Sequence, residues 1–483
     1  MTDSWQDHLV IRPQYPLGAS ARSDDTVTFA LKRSTVTMKR LDVGVRAALL
    51  ALDTGSATGW ISIGDLVRAA RGPYSEADID RLVLEVGRLY ARGALAVAVH
   101  DAGQIVCELV SNSSLGGFGL ELHDSATRYR LSRFAIIRRM DRELWAESLV
   151  ASACLRIHSA ELGAVITALH EPAEETDVVG SVWPKAASVL RACLRLMAAG
   201  GIIAPVDEDG LLPEDREPAL ATRDPHDVLL HNHSRRGLSP LPVGATFRHA
   251  SVVPPLPALR PPWPGERIPL PRPDPHRLAR TDMPVSVAME RRTSSREWAD
   301  QPLNVEDLGE LLYRVFRVRH LVARDPADPH SYEVSMRPLP SAGAAHDLEV
   351  YVAAGRVTQV GRGLFHFDPL QHTLTEVTTD PQTLSMILGS AQHSAAATAE
   401  PPVVLVLASR FARLSWKYEG MAYAATLKNV GVAYNALYLA TTAMGLAGCA
   451  LGTGDAIAFA TATGIKPYVE SPVGEFMIGP VRI

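Results

Sequence analysis

Residues 291–296 have the sequence Arg291-Arg-Thr-Ser-Ser-Arg296 and lie at the C-terminal end of a predicted helix at Val285–Arg292. Guanidinium groups and hydroxyls gathered at the end of a helix match a phosphate, which offers several acceptor oxygens. A basic cluster at a helix C-terminus also stabilises the helix dipole, so the segment alone leaves both interpretations open. From here to the end of the chain, helices alternate with short strands, which predicts an α+β domain.

The elements predicted after this segment form a central antiparallel sheet flanked by helices. The predicted helices besides the first are Val305–Phe316, Thr383–Ala397 and Ala422–Leu446. The predicted strands are Leu348–Ala353, Arg356–Val360, Leu364–Phe367, Val403–Ala408 and Glu475–Ile478. The chain has no GxGxxG after a strand, no Walker A segment and no GxSxG, so it shows no Rossmann, P-loop or α/β-hydrolase signature.

Two segments of the first half look like diverged copies of one unit. The elements of the first copy are helices at Val43–Leu52 and Ile63–Ala70, a third helix capped by Ser75, and strands at Leu95–Val99 and Ile105–Leu109. The second copy has a helix at Pro184–Ala199 and a strand at Ile202–Val206. A helix, a glycine stop and a β-wing in this order predict tandem winged helices.

The chain of 483 residues is too long for one ordinary core. We predict winged-helix-like domains at residues 1–125 and 126–240, a Pro-rich linker at 241–280 and the α+β domain at 281–483. The proline-dense tract between Ser251 and Pro275 cannot form a helix or a central strand. It is either a plain linker or an ordered strap around the next domain.

Composition excludes several classes of protein. The hydrophobic content of 47% and charged content of 21% are those of a soluble globular chain. The net charge of -5 does not favour nucleic acid or anionic membrane. The third helix of the first copy carries Glu76, Asp78, Asp80 and Glu85, which would repel phosphate. A wing edge can instead add a peptide strand, so peptide binding is favoured over DNA binding.

The cysteines and the chain start indicate a reducing compartment. Cys107, Cys154, Cys193 and Cys449 have no CxxC spacing, so neither a metal site nor a disulfide framework is expected. The acidic start lacks the pattern of a signal peptide, which predicts a cytoplasmic protein. The segment Val430–Leu451 is nearly free of charge but rich in Gly, Thr and Ala. We predict a buried helix at a core or subunit interface rather than a membrane span.

Two further segments carry candidate chemistry. In Pro338–Gly343, small residues would let a flat ring approach the backbone. Lys417 and Tyr418 are adjacent, a pairing that suits a base or a proton relay when their ionisation is perturbed. Taken alone, the pair is better explained as surface charge beside a core aromatic.

Taken together and in this order, these segments resemble the SagB-type dehydrogenases of the nitroreductase superfamily. Those FMN enzymes convert peptide thiazolines and oxazolines to thiazoles and oxazoles. The matching segments are Arg291–Arg296, Pro340–Ala344, Lys417-Tyr418, Gly431–Asn435 and Gly445–Gly452. Further matches lie upstream at Leu229–Gly237, Gly244–Phe247 and Ile268–Asp274.

The resemblance implies a set of FMN-binding residues. The phosphate would be bound by Arg292, Thr293, Ser294 and Arg296, and the isoalloxazine would be lined by Pro340, Ser341, Ala342 and Gly343. Asn435 would reach the flavin or its ribityl chain, Gly452 and Thr453 would approach flavin N5, and Arg482 would help to hold the phosphate. The chain departs from the family at Gly454, where many members have a bulky residue, and at Val432, where many have His.

The resemblance also implies a reaction and its partners. Aromatising an azoline removes a proton from one ring carbon and a hydride from its neighbour, so a positioned base is needed. Tyr418 would take the proton as a phenolate stabilised by Lys417, or the two roles are reversed; the sequence leaves both open. A homodimer with its interface near Tyr434–Met444 is implied, as is reoxidation by dioxygen.

The substrate would be an azoline-containing precursor peptide whose leader is bound by the N-terminal domains, and a cyclodehydratase is a possible partner. Three alternatives remain at this point. The chain could be a general NAD(P)H-dependent flavin nitroreductase, a non-catalytic scaffold of a cyclodehydratase complex, or a transcription regulator with a flavin sensor. The last is disfavoured by the acidic third helix.

Overall fold

The computed structural model describes residues 5–23, 25–31, 35–54, 59–69, 75–111, 128–151, 153–238 and 241–482. Contacts divide the chain into two compact units, Met1–Pro242 and Val243–Ile483. The division falls beside the predicted end of the second winged-helix-like segment at residue 240, which lies outside the described residues.

The first unit is built around antiparallel strands. They are β1 (Leu9–Pro13), β2 (Ala19–Ser23), β3 (Thr26–Ala30), β4 (Thr35–Met38), β5 (Ile61–Ser62), β6 (Leu95–Asp101), β7 (Gln104–Ser111), β8 (Arg128–Leu131), β9 (Ala135–Met140), β10 (Glu143–Ser148), β11 (Ala153–Ile157), β12 (Ala173–Glu174) and β13 (Ile203–Pro205). The main sheet has the order β5-β1-β6-β7-β11-β10-β9, and two smaller sheets have the orders β12-β8-β13 and β2-β3-β4.

The helices of the first unit include the four predicted ones, of which α6 begins at Ala187 instead of Pro184, and five that were not predicted. They are α1 (Val43–Thr54), α2 (Ile63–Ala69), α3 (Glu76–Ala91), α4 (Ala160–Ala168), α5 (Glu175–Ser181), α6 (Ala187–Ala199), α7 (Pro213–Arg216), α8 (Pro218–Ala221) and α9 (Pro225–His233). Ser75 caps α3 as predicted, because its hydroxyl accepts the Asp78 N–H and the Asp78 carboxylate accepts the Ser75 N–H. The predicted last residue of α2, Ala70, lies outside the described residues.

One hydrophobic core runs through both predicted winged-helix segments. It joins buried side chains such as Leu9, Leu89 and Val97 to Leu155 and Leu190. In the main sheet, β7 pairs with β11, so the sheet also takes strands from both segments. The limits 1–125 and 126–240 and the winged-helix type stay predictions. The structure adds that the two segments share a core.

The second unit has the predicted α+β fold, with a central antiparallel sheet and flanking helices. Its strands are β14 (Gly244–Ala245), β15 (Arg267–Pro269), β16 (His320–Val322), β17 (Val334–Met336), β18 (Leu348–Ala354), β19 (Gly363–Asp368), β20 (Thr373–Thr378), β21 (Val403–Arg410), β22 (Tyr418–Glu419), β23 (Leu446–Ala450) and β24 (Glu470–Pro480). The seven-stranded sheet has the order β15-β20-β19-β18-β21-β24-β23, and each neighbouring pair is antiparallel.

Helices pack around this sheet. They are α10 (Pro275–Thr281), α11 (Val285–Arg291), α12 (Val305–Phe316), α13 (Pro381–Ala395), α14 (Ala412–Ser415), α15 (Ala422–Met444) and α16 (Ala456–Thr463). The bounds of α12 are those predicted, since its apolar residues recur at helical spacing and become buried on one side. Strand β20 was not predicted.

The predicted strand Arg356–Val360 is wrong. Leu303 N–H donates to Arg356 O, and Thr358 N–H donates to Leu303 O, so this segment bonds to the loop before α12. It makes only isolated bridges. An apolar alternation cannot show whether a neighbouring strand or a loop supplies the backbone partners.

The charge-free segment Val430–Leu451 divides between the second half of α15 and strand β23. The buried residues of α15 include Val430, Ala433 and Leu437, which belong to the core of the second unit. Among the residues that the structure describes, no helix is long and apolar enough to cross a membrane. The burial of these α15 residues in the core agrees with the predicted buried helix.

The Pro-rich tract is an ordered strap, which we define as residues 244–260. Trp416 Nε1 donates to Val253 O at 2.7 Å, Arg413 donates to Leu256 O at 2.6 Å, and Arg410 donates to Pro257 O at 2.9 Å. Because Trp416, Arg413 and Arg410 are all buried, these carbonyls satisfy donors that water does not reach. Of the two possibilities for this tract, the structure shows the strap.

We expect a fragment of residues 261–483, which keeps β15 and α10, to be less stable to urea than a fragment of residues 243–483. Without the strap, buried arginines lose carbonyl acceptors, and each such bond to a charged group contributes about 1.5–3 kcal/mol. The unfolding midpoints of the two fragments, followed by circular dichroism, measure the difference. Trp416→Phe in the longer fragment removes one strap bond and should give a smaller loss. Equal midpoints would contradict the role of the strap.

Candidate active site

The loop that the sequence singled out, Pro340–Gly343, is fastened to helix α15. The Ala342 N–H donates to Asn429 Oδ1 at 3.3 Å, and Asn429 Nδ2 donates to Ser341 Oγ at 3.1 Å. A short 3-10 turn at Ala342–Ala344 then reverses the chain, with Gly343 at a φ of +59°. This left-handed conformation favours glycine because it has no Cβ.

Asn429 is itself held by a buried carboxylate. Asp347 is 0% exposed and accepts hydrogen bonds from Asn429 Nδ2 at 2.7 Å, Thr426 Oγ1 at 2.7 Å and Ser409 Oγ at 2.8 Å. A fully satisfied network of this kind is rigid, so it fixes the amide of Asn429 and through it the loop. The sequence analysis missed both residues. The available signal was a polar Asn429 at the edge of an apolar helix.

Three polar atoms converge on Gly343. A Cβ at this position would lie 2.6 Å from Lys417 Nζ, 2.6 Å from Tyr418 OH and 2.9 Å from Tyr332 OH. We call Tyr332, Gly343, Lys417 and Tyr418 the tyrosine–lysine cluster. It joins the two segments that the sequence predicted separately and adds Tyr332, which the sequence analysis missed.

Lys417 is charged in this setting. Its Nζ donates to Tyr332 OH at 2.7 Å and lies 4.9 Å from the centre of the Tyr332 ring. Burial opposes the charge, but the hydrogen bond and the nearby oxygens of Tyr332 and Tyr418 outweigh it and raise the pKa of Lys417 above its ordinary value. The Lys417 amine is therefore an ammonium at neutral pH.

The strap positions the Lys417-Tyr418 segment. Strand β14 pairs with β22, with Ala245 opposite Tyr418, and the Phe247 N–H donates to Lys417 O at 3.2 Å. The Phe247 ring stacks on His330 at 4.6 Å and lies 5.8 Å from Lys417 Nζ. The site therefore needs residues from a tract that precedes the predicted domain limit at 281.

A second group of predicted residues, Arg292, Thr293, Ser294 and Arg296, forms what we call the arginine cluster. Ser294 Oγ and Tyr438 OH are hydrogen-bonded at 2.9 Å, and the Arg292 guanidinium lies 5.2 Å from the centre of the Tyr438 ring. Among the described residues, no carboxylate lies within ion-pair distance of the guanidinium of Arg292 or Arg296. This positive charge and the hydroxyls match an anionic group such as a phosphate.

The remaining predicted residues lie on the side of the arginine cluster. Asn435 is exposed and precedes Tyr438 by less than one turn of α15. Gly452 and Thr453 follow β23, whose last residue Ala450 donates its N–H to Tyr438 OH at 2.8 Å. Arg482 is two residues beyond Pro480, whose carbonyl accepts the Ala299 N–H next to the cluster.

The two clusters lie on opposite sides of α15. Asn429 contacts the loop of the tyrosine–lysine cluster, and Tyr438 contacts the arginine cluster. Nine residues are two and a half helical turns, so these side chains leave the helix in opposite directions and about 14 Å apart along its axis. Within one chain, the structure does not bring the two clusters into one pocket.

Gly454, where the family resemblance leads one to expect a bulky residue, is explained by Glu475. A Cβ on Gly454 would fall within 1.9 Å of the Glu475 carboxylate, which fills the space itself. Glu475 is 7% exposed and lines a small cavity with Val406, Leu451 and Phe459. Burial raises the pKa of Glu475 to about 7.

The nitroreductase family model matches residues 289–480, which contain both clusters. The second unit carries a nitroreductase-like domain. The superfamily part of the sequence resemblance is thereby confirmed. The match begins after the strap, on which the position of Lys417-Tyr418 depends.

The chain is also similar to individual proteins. One such protein is MJ1384 of Methanocaldococcus jannaschii, which is provisionally named a nitroreductase. It is 25% identical to this chain over 162 residues, and the match covers 34% of this chain and 75% of that protein. A structure from Anabaena variabilis, also provisionally named a nitroreductase, is 14% identical with a TM-score of 0.38 over 85% of this chain and 90% of its own. The E. coli microcin synthetase McbBCD complex is 21% identical with a TM-score of 0.34, over 42% and 74%. With both TM-scores below 0.5, the assignment stands on the family model.

A second family model, that of the cyanobactin oxidase ThcOx, matches residues 129–239 in the first unit. Both models describe oxidoreductases. The chain is therefore similar to an oxidoreductase in each of its two units.

Glu475 should make the stability of the nitroreductase domain depend on pH. Below about pH 4.5 the carboxyl is protonated in both states and has no effect. Above that pH the unfolded chain ionises while the folded chain keeps the proton to about pH 7, so the folded state loses roughly 3 kcal/mol across this window. Glu475→Gln should remove this loss.

The measurement is the free energy of unfolding in urea at pH 5 and at pH 8. Glu290→Gln, at an exposed carboxylate on α11, is the matched control and should leave the difference between the two pH values unchanged. An equal pH dependence in the wild type and in Glu475→Gln would show that the carboxyl is not buried as described.

Proposed function

We propose that this chain is an FMN-dependent dehydrogenase that oxidises peptide thiazolines or oxazolines to thiazoles or oxazoles during maturation of a ribosomally made peptide. The observation that carries the proposal is the convergence of Lys417, Tyr418 and Tyr332 on Gly343 in a nitroreductase-family domain. This combination places a candidate base beside a loop of small residues. The resemblance to SagB-type enzymes and the match to a cyanobactin oxidase support the peptide substrate.

The residues present fit FMN. Arg292, Thr293, Ser294 and Arg296 offer cationic and hydroxyl donors without a competing carboxylate, as the phosphate requires. The loop Pro340–Gly343 has small side chains, and a Cβ at Gly343 would fill the space where the polar atoms meet. Bound FMN would supply the two-electron chemistry, accepting a hydride from the azoline ring and passing electrons on to dioxygen.

In this proposal the side chains of the tyrosine–lysine cluster handle the other hydrogen, which leaves as a proton. Tyr418 as a phenolate takes the proton from the ring carbon, and the ammonium of Lys417 stabilises the negative charge of the phenolate before transfer. The raised pKa of Lys417 favours this assignment over the reverse one, because an amine that stays protonated cannot accept a proton. The strap keeps both residues over Gly343 through β14 and β22.

The enzyme in this proposal is a homodimer. One chain has its two clusters on opposite sides of α15, so a flavin that uses both sets of residues needs a second copy. Exposed apolar residues that could form the interface are Val285 and Met289 on α11 with Tyr423 and Leu427 on α15. Residues 434–444, the interface expected from the sequence, include several that pack against their own core.

The first unit has the role of binding the leader of the precursor peptide. The ThcOx match falls within this unit, at residues 129–239. Tethering the leader raises the effective concentration of the core peptide at the site, into the millimolar range for short linkers. A cyclodehydratase that makes the azolines is the expected partner.

A general NAD(P)H-dependent nitroreductase is the second candidate, favoured by the family to which residues 289–480 match. It is distinguished by mixing the flavin-loaded protein with NADPH without oxygen. Rapid bleaching by NADPH, with no bleaching by an azoline peptide, would favour the nitroreductase.

We expect the purified chain to be yellow and to release FMN identified by mass. Lys417→Ala and Tyr418→Phe should each lower azoline turnover by about 10²–10⁴, because a well-placed base contributes that factor. Both should keep the flavin. Arg296→Ala is the contrasting variant, since it should weaken FMN binding instead. A colourless protein that cannot be reconstituted with FMN would overturn the proposal and favour the scaffold.

Removing residues 1–242, which leaves the strap in place, should lower the rate on a leader-bearing azoline peptide far more than on a short azoline model. The reason is that the short model never used the tether. The two rates are measured on the same preparation at substrate concentrations below KM. Equal losses on both substrates would contradict leader binding by the first unit.

A further inference from the structure

Tyr332 uses both hydrogen-bonding functions of its hydroxyl. The hydroxyl donates to Gly343 O at 2.5 Å and accepts from Lys417 Nζ at 2.7 Å. Its ring is fixed as well, with the Trp416 ring edge-on at 5.9 Å and the Arg413 guanidinium 5.7 Å from its centre. Two hydrogen bonds and two ring contacts therefore hold Tyr332 in place.

These contacts make Tyr332 a poor proton acceptor. To take a proton it would first have to be a phenolate, and its oxygen would then face Gly343 O at 2.5 Å without a hydrogen between them. Two acceptor oxygens at that distance repel each other. The hydroxyl proton of Tyr332 therefore stays in the hydrogen bond to Gly343 O.

Tyr418 differs in this respect. Its hydroxyl reaches the same point beside Gly343, close to the Lys417 amine. In the part of the chain that the structure describes, no backbone carbonyl accepts the Tyr418 hydroxyl. Ionisation of Tyr418 therefore breaks no bond to the loop, and its oxygen can point to a substrate.

We propose that Tyr332 is a positioning residue of this site, which holds the Lys417 amine over Gly343 and leaves Tyr418 as the phenol that takes the substrate proton. This inference rests on the proposed function. In the proposed step, a ring C–H bond would break and an O–H bond would form on Tyr418, and bound FMN would supply the acceptor for the hydride from the neighbouring carbon. Tyr332 changes neither its bonds nor its charge.

The hydrogen bond from Lys417 Nζ to Tyr332 OH also restricts the side chain of the lysine. A lysine has a long flexible side chain, and ordering it costs rotamer entropy unless a fixed partner holds it. Tyr332 is that partner, since its own hydroxyl is anchored to the backbone of the loop. The loop, Tyr332 and Lys417 thus form one chain of hydrogen bonds.

The test is competitive acetylation of the full-length protein over a range of pH, with peptide mass spectrometry of Lys417 and with the exposed Lys428 as the reference amine. Tyr332→Phe keeps the ring and removes only the hydroxyl. Because the hydrogen bond to Tyr332 favours the ammonium, the labelling midpoint of Lys417 should move to lower pH in this variant while that of Lys428 stays. Tyr313→Phe, a matched change away from the cluster, should move neither.

Turnover is the second readout. Tyr332→Phe should lower kcat about 10- to 100-fold, the loss expected for one hydrogen bond to a charged group, with KM for the peptide little changed. The alkaline limb of kcat should move to lower pH together with the labelling midpoint. Tyr418→Phe should lose more activity than Tyr332→Phe.

Two results would overturn the inference: an unchanged labelling midpoint for Lys417 in Tyr332→Phe, or a greater loss of activity in Tyr332→Phe than in Tyr418→Phe. The labelling needs neither flavin nor peptide. A protein that labels as expected but oxidises no azoline would therefore overturn the proposed function while supporting Tyr332 as the residue that holds Lys417.

Discussion

The missing Cβ of Gly343 is the constraint on which the site depends. Its left-handed backbone carries the chain through a tight turn, and the space beside it is filled by Lys417 Nζ, Tyr418 OH and Tyr332 OH. A side chain at this position would separate the ammonium from the phenols and would strain the turn. A glycine at position 343 is therefore required both by the turn and by the contact of Lys417 with the two tyrosines.

Irregular segments build this site, and buried polar groups hold them. Asp347 fixes Asn429, which fixes the loop, and Arg413 donates to carbonyls of the strap and of Ala345. Each of these buried donors would be costly without its partner, so the network specifies one arrangement. The strap belongs to this network. For that reason the position of Lys417 and Tyr418 depends on residues that precede the family match.

Helix α15 organises the domain by separating two sets of residues. One side holds the loop through Asn429, and the other holds the arginine cluster through Tyr438. In the proposed homodimer, a second copy of the chain would bring the two sets to one flavin, and exposed apolar residues on α11 and α15 are available for its interface. At position 454 the residue is a glycine, because the carboxylate of Glu475 occupies the space that a side chain would need.

The sequence by itself determined the α+β class, the bounds of α12, the arginine cluster and the adjacency of Lys417 and Tyr418, because these follow from local spacing. The tertiary structure alone decided that Tyr332 and Asn429 belong to the site, 85 residues from Lys417 and 88 from Ser341. It also moved Arg356–Val360 from the sheet to a loop. Periodicity indicates which side of an element is buried. Contacts between residues far apart in the chain are fixed only by the hydrogen bonds that the folded sheet, helix and strap form with one another.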